Sequence, residues 1–350
     1  VRWNLLALNY NYKIGKNGYF NVRAFGMLAS RDALGYLGKI NQVDTETNRD
    51  LINSTFKNTG MEVRYLHKYK MKQQHGAFLA GARAYVGKTN TKQGNAPNTS
   101  IADFTFLNED NLEQSNFDFP SHNISLFAEN IFMIKKVTIT PGIRFEHIKS
   151  RSEGFYKSYV IHPNGDTLSN TTIDDMKNSE RNIFLAGLGV GYKPFKNGQL
   201  MEVYGNISQN YRAINFTDIR VNNPNVLIDP NIKDEYGFTG EIGIRGRIKS
   251  SFIYNVSAFY IFYGDKIGLA PEGIKRIRTN LGNARNVGLE TFFELDMLKL
   301  IKGDSSKYSL AVYSNFSYIN ATYITSKEPA YIGKSVEFVP NYTVRTGIRF

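Results

Sequence analysis

Apolar and polar residues alternate one for one in long stretches of this chain, and the stretches are separated by connections of two sizes. From Tyr19 to Ala29, Glu62 to Tyr69, Val137 to Ile148 and Met201 to Tyr211, every second residue is apolar or aromatic. The residues between are Asn, Ser, Thr, Gly, Glu or Arg. A period of two belongs to strands with one face unlike the other; a helix would need a period near 3.6, and none is sustained. The pattern predicts thirteen strands: Val1–Lys13, Gly18–Ser30, Ser54–Tyr69, Gln74–Lys88, Pro120–Ile134, Val137–Ser150, Arg181–Lys193, Gln199–Arg212, Asp234–Lys249, Ser251–Asp265, Asn286–Leu300, Lys307–Tyr323 and Glu337–Phe350.

Short connections are Ile14–Asn17, Lys70–Gln73, Lys135–Lys136, Pro194–Gly198, the step at Ser250, and Ile301–Ser306. Long polar ones are Arg31–Asn53, Thr89–Phe119, Arg151–Glu180, Ala213–Lys233, Lys266–Arg285 and Ile324–Val336. The two kinds alternate without exception. In an up-and-down sheet this puts every short turn at one end and every long loop at the other, which is the asymmetry of a membrane β-barrel. The expected fold class is therefore all-β, an antiparallel up-and-down transmembrane β-barrel. A soluble barrel of this many strands would be too wide for side chains to fill.

Composition fits this reading. Twenty-two Tyr and 24 Phe against a single Trp supply aromatic girdles, and the absence of Cys excludes disulfides and thiolate metal sites. The mean hydropathy of −0.36 does not argue against a membrane, because only alternate residues of a barrel strand face lipid. The net charge of +12 has two readings. Many cations flank the short turns, among them Lys13, Lys16, Lys68, Lys70, Lys135, Lys136, Lys193, Lys249, Lys299 and Lys302, as ordinary flanking charge. The sharper reading is attraction of an anionic ligand. Nucleic acid is not an expected partner, because the basic residues are dispersed and no recognition helix is visible.

Motifs for bond chemistry are missing. Gly187, Gly189 and Gly191 in GLGVG lack the following helix that a dinucleotide site needs, and leave room on one strand face instead. Asp44, Glu46, Asn48 and Asp50 have alternating oxygen spacing without the glycine and closing glutamate of a calcium loop. The five His (His67, His75, His122, His147, His162) form no zinc or triad pattern. No enzyme activity, catalytic residue, cofactor or metal site is expected.

The segments VYGNISQNYRAINFTD (203–218), DPNIKDEYGFTGEIGIRG (229–246), FYIFYGDKIG (259–268) and NLGNARNVGLE (280–290) resemble the barrel of TonB-dependent outer-membrane receptors. Within that family they are most similar to the ferric-citrate type. SLFAENIF (125–132) and TITPGIRFEHI (138–148) fit the same pattern, and Asp234 stands where the family often has Pro. The resemblance implies that residues 1–350 are an internal part of a 22-stranded receptor barrel, about 13 strands of it, without the plug and the last strands. It implies a monomer in the Gram-negative outer membrane, in contact with lipid and lipopolysaccharide. It also implies import of a ferric chelate of siderophore or ferric-citrate type, driven by the TonB complex through the plug. A passive porin, or a receptor for cobalamin or a glycan, stays open as an alternative. For an anionic chelate the candidate ligand-binding residues are Arg212, at a strand end, and Arg276 and Arg278 in KRIRTN, whose guanidinium groups could form forked hydrogen bonds. The plainer reading of each is a solvated loop cation.

Overall fold

A computed structural model describes the chain except residues 37–46, 72–73, 162–166, 196–199, 215–225, 274 and 304–305. The strands are β1 (Arg2–Ile14), β2 (Gly18–Gly35), β3 (Asn48–Met71), β4 (Gln74–Pro97), β5 (Ser115–Ile134), β6 (Val137–Ile161), β7 (Thr167–Tyr192), β8 (Leu200–Arg212), β9 (Val226–Ile228), β10 (Glu235–Ile248), β11 (Phe252–Glu272), β12 (Lys275–Asp296), β13 (Ala311–Tyr323) and β14 (Tyr342–Arg349). Thirteen of them form one antiparallel meander in chain order, with β9 added in parallel to β12. The hydrogen-bonded strand order begins at β1 and ends at β14. No described helix is long and apolar enough to cross a membrane. Two compact units are distinguished along the chain. The first comprises Val1–Leu66, Leu79–Phe127 and Arg144–Phe184, and the second His67–Phe78, Ala128–Ile143 and Leu185–Phe350.

All thirteen expected strands are present, and the differences fall at their ends. Two segments read as long loops are largely paired, and a third holds β9: Lys266–Arg285 pairs between β11 and β12 as far as Glu272 opposite Lys275. β6 and β7 likewise consume most of Arg151–Glu180. At about 3.3 Å per residue, the 25 residues of β6 extend roughly 80 Å, whereas a membrane crossing needs only about 10 residues. These ribbons therefore project well beyond a bilayer. Alternation vanishes there because both faces are wet, while backbone hydrogen bonding continues regardless of side chain.

At the other end, the expected strand Asn286–Leu300 stops at Asp296, and Met297–Lys302 form a short helix, α1. Asp296 accepts hydrogen bonds from the Lys299 amide at 3.0 Å and the Ser309 hydroxyl at 2.7 Å. These donors, the Ser309 hydroxyl first, hold its carboxyl down to about 2. Gly303, with φ of 75°, ends the helix in a left-handed conformation that costs a glycine nothing sterically. Strand β13 accordingly begins at Ala311 rather than Lys307.

In the second unit, register shows how the faces divide. Residues directly opposite in an antiparallel pair share a face, so β8, β10, β11 and β12 can be read across. One face carries Ile207, Ile242, Ile244, Val256, Ala258, Val287 and Leu289 as an aliphatic belt. Toward the loop end, the belt is bordered by Tyr236, Phe238, Tyr260 and Phe262: Phe238 stacks on Tyr260 and Phe262 at 5.7 Å, and Tyr236 meets Phe262 edge to face at 6.2 Å. Toward the short turns, Phe252, Tyr254 and Phe293 stack at 5.9–6.1 Å. Ile242, midway between the rows, is 64% exposed. An exposed aliphatic belt between two aromatic rows is the outer surface of a lipid-embedded sheet.

Candidate functional site

The opposite face of the same strands is polar and cross-linked. Glu202, Tyr204, Asn206, Asn210 and Arg212 alternate along β8, opposite Arg245, Gly243, Glu241, Gly237 and Glu235 on β10. The Tyr204 hydroxyl donates to Glu241 Oε1 at 3.0 Å, and Asn206 Nδ2 donates to Glu241 Oε2 at 3.0 Å. Arg245 pairs with Glu202 at 2.9 Å and lies 4.9 Å over the Tyr204 ring. A Cβ on Gly243 would stand 2.6 Å from that ring, so glycine is what admits it. Val203, Ile207 and Tyr211 take the other face, as the alternation requires. The glycines of GLGVG share the polar face, but neighbours use part of the room they leave. A Cβ at Gly191 would meet Glu202 Oε1 at 2.7 Å, and one at Gly187 would meet the Ser208 Cβ at 3.3 Å.

At the loop end, buried Glu235 accepts from Arg212 Nη1 at 3.0 Å and from the Ile267 amide at 2.9 Å. Arg212 is therefore anchored on an acid, with its side chain still 42% exposed. Arg276 and Arg278 are strand residues rather than loop residues. They stand opposite Pro271 and Leu269 on β11 and pair with Val226 and Ile228 of β9. Alternating positions put these two side chains on one face of a three-stranded platform. The structure brings Arg276 and Arg278 together in this way, and places Arg212 separately at its own ion pair. Beneath the loops, Ala270, Leu281, Ala284, Ala321, Tyr323 and Val336 form a small apolar core.

A polar latch with no signature along the chain ties this end together. Asp229 Oδ2 accepts from the Thr279 hydroxyl at 2.5 Å, Lys327 Nζ donates to the same hydroxyl at 3.1 Å, and Lys327 lies 3.6 Å from Asp229. It joins the β9 segment, β12 and the β13–β14 connection. Nothing in the spacing of residues 229, 279 and 327 signals it, because the contacts arise only when three segments distant in sequence fold together. The Thr279 hydroxyl and the Asn231 amide hold the Asp229 carboxyl below its usual range. A depressed carboxylate contributes stability above the ordinary Asp range, near 4, and loses it as pH falls through its own lower value. Asp229→Ala is expected to weaken local closure by about 1 kcal/mol. Hydrogen exchange at residues 226–228 should quicken at neutral pH, and unchanged protection would show that β9 holds without the latch.

Asp50 accepts a hydrogen bond from Gln114 Nε2 at 2.7 Å within the first unit, and Asp44 and Glu46 lie outside the described residues. His147 is bonded to Asn182 at 2.9 Å, and His162 lies outside the described residues. Among the described residues, no three His, Asp or Glu are grouped to hold a metal.

The family described as TonB dependent receptor-like, beta-barrel matches residues 2–350. The chain belongs to that family. It is accordingly an integral outer-membrane β-barrel chain, and the family's short turns lie on the periplasmic side and its long loops outside. Solved TonB-dependent receptors share the fold. The ferric citrate transporter FecA, in its unliganded form, aligns with 99% of this chain at 18% identity and a TM-score of 0.74. The ferric yersiniabactin uptake receptor FyuA from Yersinia pestis aligns with 99% at 16% identity and a TM-score of 0.68. The copper transporter OprC aligns with 99% at 11% identity and a TM-score of 0.70. This chain spans 46% of FecA and of FyuA and 50% of OprC. No curated protein matches it by sequence. These neighbours and the family are receptors and transporters.

Proposed function

We propose that this TonB-dependent receptor chain forms part of the wall and outer rim of an importer of ferric chelates, energised through the TonB complex. Membership of the family across residues 2–350 carries the reading. The ordered rim, with Arg212 anchored on Glu235 and Arg276 and Arg278 on the β9–β12–β11 platform, supports an anionic chelate as cargo. Guanidinium groups on a rigid backbone lose little freedom on forming forked bonds to carboxylate or catecholate oxygens. The lining network around Tyr204 and Glu241 gives the passage a wetted polar wall, on which a multiply polar solute can exchange hydrogen bonds with side chains already in place. In this scheme the receptor breaks no bond in its cargo. It captures the chelate at the rim, and loop and plug movement commit it inward.

The test is uptake of radiolabelled ferric citrate by cells carrying the receptor, with and without TonB and with the proton gradient collapsed. Uptake should fall to background in both de-energised conditions. Equal entry without energy would identify a passive pore, and saturable energised uptake of copper but not of iron would assign a different cargo.

A further inference from the structure

Strands β9 and β10 lie on opposite sides of the β11–β12 hairpin. Arg276, Ile277 and Arg278 pair with β9 along one edge of β12 and with β11 along the other, and β10 is the next strand beyond β11. Residues 229–234, which join β9 to β10, therefore cross both strands of the hairpin. This strap starts in a tight turn, where the Asn231 amide donates to Asp229 Oδ1 at 2.9 Å and the Ile232 amide to the Asp229 carbonyl at 3.2 Å. It is fastened at Asn280, a buried residue. Asn280 Oδ1 accepts from the Lys233 amide at 2.7 Å, and its Nδ2 donates to the carbonyls of Lys233 at 2.9 Å and Asp265 at 2.5 Å. Positions 276, 278 and 280 alternate along an unbroken stretch of β12, so Asn280 shares the face of Arg276 and Arg278. The strap crosses on that face.

Immediately after Lys233 the strap delivers Asp234 and Glu235. Glu235 anchors Arg212 and accepts the Ile267 amide, and Ile267 stands opposite Asn280. Asp234 Oδ1 accepts from the Ile214 amide at 2.8 Å, and its Oδ2 from the Tyr211 hydroxyl. A proline side chain at that position could accept neither. The hairpin itself is bent at this level. Asp265, with φ of 53°, sits at a register shift of β11 in a left-handed conformation unfavourable for a residue with a side chain. Its amide donates to Asn283 Oδ1 at 3.1 Å, so the two asparagines of NLGN (280–283) hold the peptide groups on either side of it. The strands of Arg212 and Asn280 are three interstrand steps apart, about 14 Å. Two arginine side chains reaching toward each other span most of that gap.

We propose that Asn280 is a positioning residue that joins Arg212, Arg276 and Arg278 into one clamp, which takes a single cargo bearing at least two separated anionic groups. This rests on the reading of these arginines as the chelate-binding rim. By fastening the strap, Asn280 fixes Glu235, and through it Arg212, relative to the strand that carries the other two guanidinium groups. Its amide uses both donors and one acceptor site there, and removing it leaves three buried or half-buried backbone groups without that partner. Once one anionic group of the cargo is held, the second meets its guanidinium at high effective concentration, provided the two centres keep their separation. The Asp229–Thr279–Lys327 latch cannot substitute, because Thr279 points to the other face of β12 and ties only the β9 end of the strap.

The experiment is a double-mutant cycle, Arg212→Gln with Arg278→Gln, read by titrating the full receptor with ferric citrate and with tripolyphosphate, an iron-free polyanion. Glutamine keeps a hydrogen bond for Glu235 while removing the charge. Each single change should weaken binding, and the double variant should bind at least about fivefold tighter than the product of the two losses. In Asn280→Ala the losses should simply multiply. Asn280→Asp keeps the side-chain volume and the acceptor for the Lys233 amide but lacks both donors, and it should behave as Asn280→Ala does. Hydrogen exchange at the Ile267 amide reads the strap without cargo. It should quicken about tenfold in both Asn280 variants and stay unchanged in Asp229→Ala. Losses that multiply in the receptor with Asn280 intact would overturn the clamp, and that cycle needs no change at Asn280. Coupling that survives in both Asn280 variants, or an unaltered Ile267 amide, would overturn the role of Asn280. Coupling seen with tripolyphosphate but no binding of ferric citrate would support the clamp and overturn the cargo reading.

Discussion

Ile242→Arg is expected to destabilise the assembled barrel by about 2–4 kcal/mol, because it sets a guanidinium at the centre of the lipid-facing belt. Ile242 lies between Gly205 and Ala258 across its neighbouring strands, with aromatic rows on either side along the sheet. No water reaches that depth, and the two flanking side chains are too small to shield a charge. Tyr236→Arg, six residues toward the outer rim, should cost only about 0–1 kcal/mol, since it snorkels into the headgroup layer. Refolding into vesicles over a urea series measures both. Equal costs at the two positions would mean that this face does not sit in lipid at the depth assigned.

Joint replacement of Arg212, Arg276 and Arg278 by Ala is expected to weaken binding of an anionic chelate at the rim strongly. Hydrogen bonds to a charged partner contribute about 1.5–3 kcal/mol each, and the loss should shrink as salt is raised. Arg212→Ala alone has a second consequence. It leaves buried Glu235 with the Ile267 amide but without its ion pair, and one partner's removal from such a pair is destabilising. Arg212→Lys and an Arg212→Ala/Glu235→Gln pair separate that effect from ligand contact. Isothermal titration with ferric citrate at low and high ionic strength reads the outcome. Affinity unchanged at low salt in the triple variant would make these three arginines ordinary rim charge, leaving family membership and energised transport untouched.

The rim also shows where legibility stopped. Arg276 and Arg278 read as loop residues because KRIRTNLGNARN has no dry face to enforce alternation. In the fold they belong to β12, held by backbone pairing to β11 and β9. Asp296 reads as one more polar strand end, and only the return of Ser309 makes it the cap of α1. The Asp229–Thr279–Lys327 latch joins three segments, with 50 positions between the first two residues and 48 between the last two. Spacing along a chain cannot encode such a contact.

What the sequence determined by itself was the part of the protein in lipid. The membrane demands an apolar residue at every second position, a paired backbone throughout and short turns on one side, and each demand leaves a local mark that can be counted. Alternation alone therefore sets Val203, Ile207 and Tyr211 on one face and Glu202, Asn206 and Arg212 on the other. Above the membrane, both faces of a hairpin meet water, so side chains are released from alternation and the local mark disappears. There the strand lengths, the platform under Arg276 and Arg278 and the latch at Asp229 follow from which segments fold against which. Only the tertiary structure decides that.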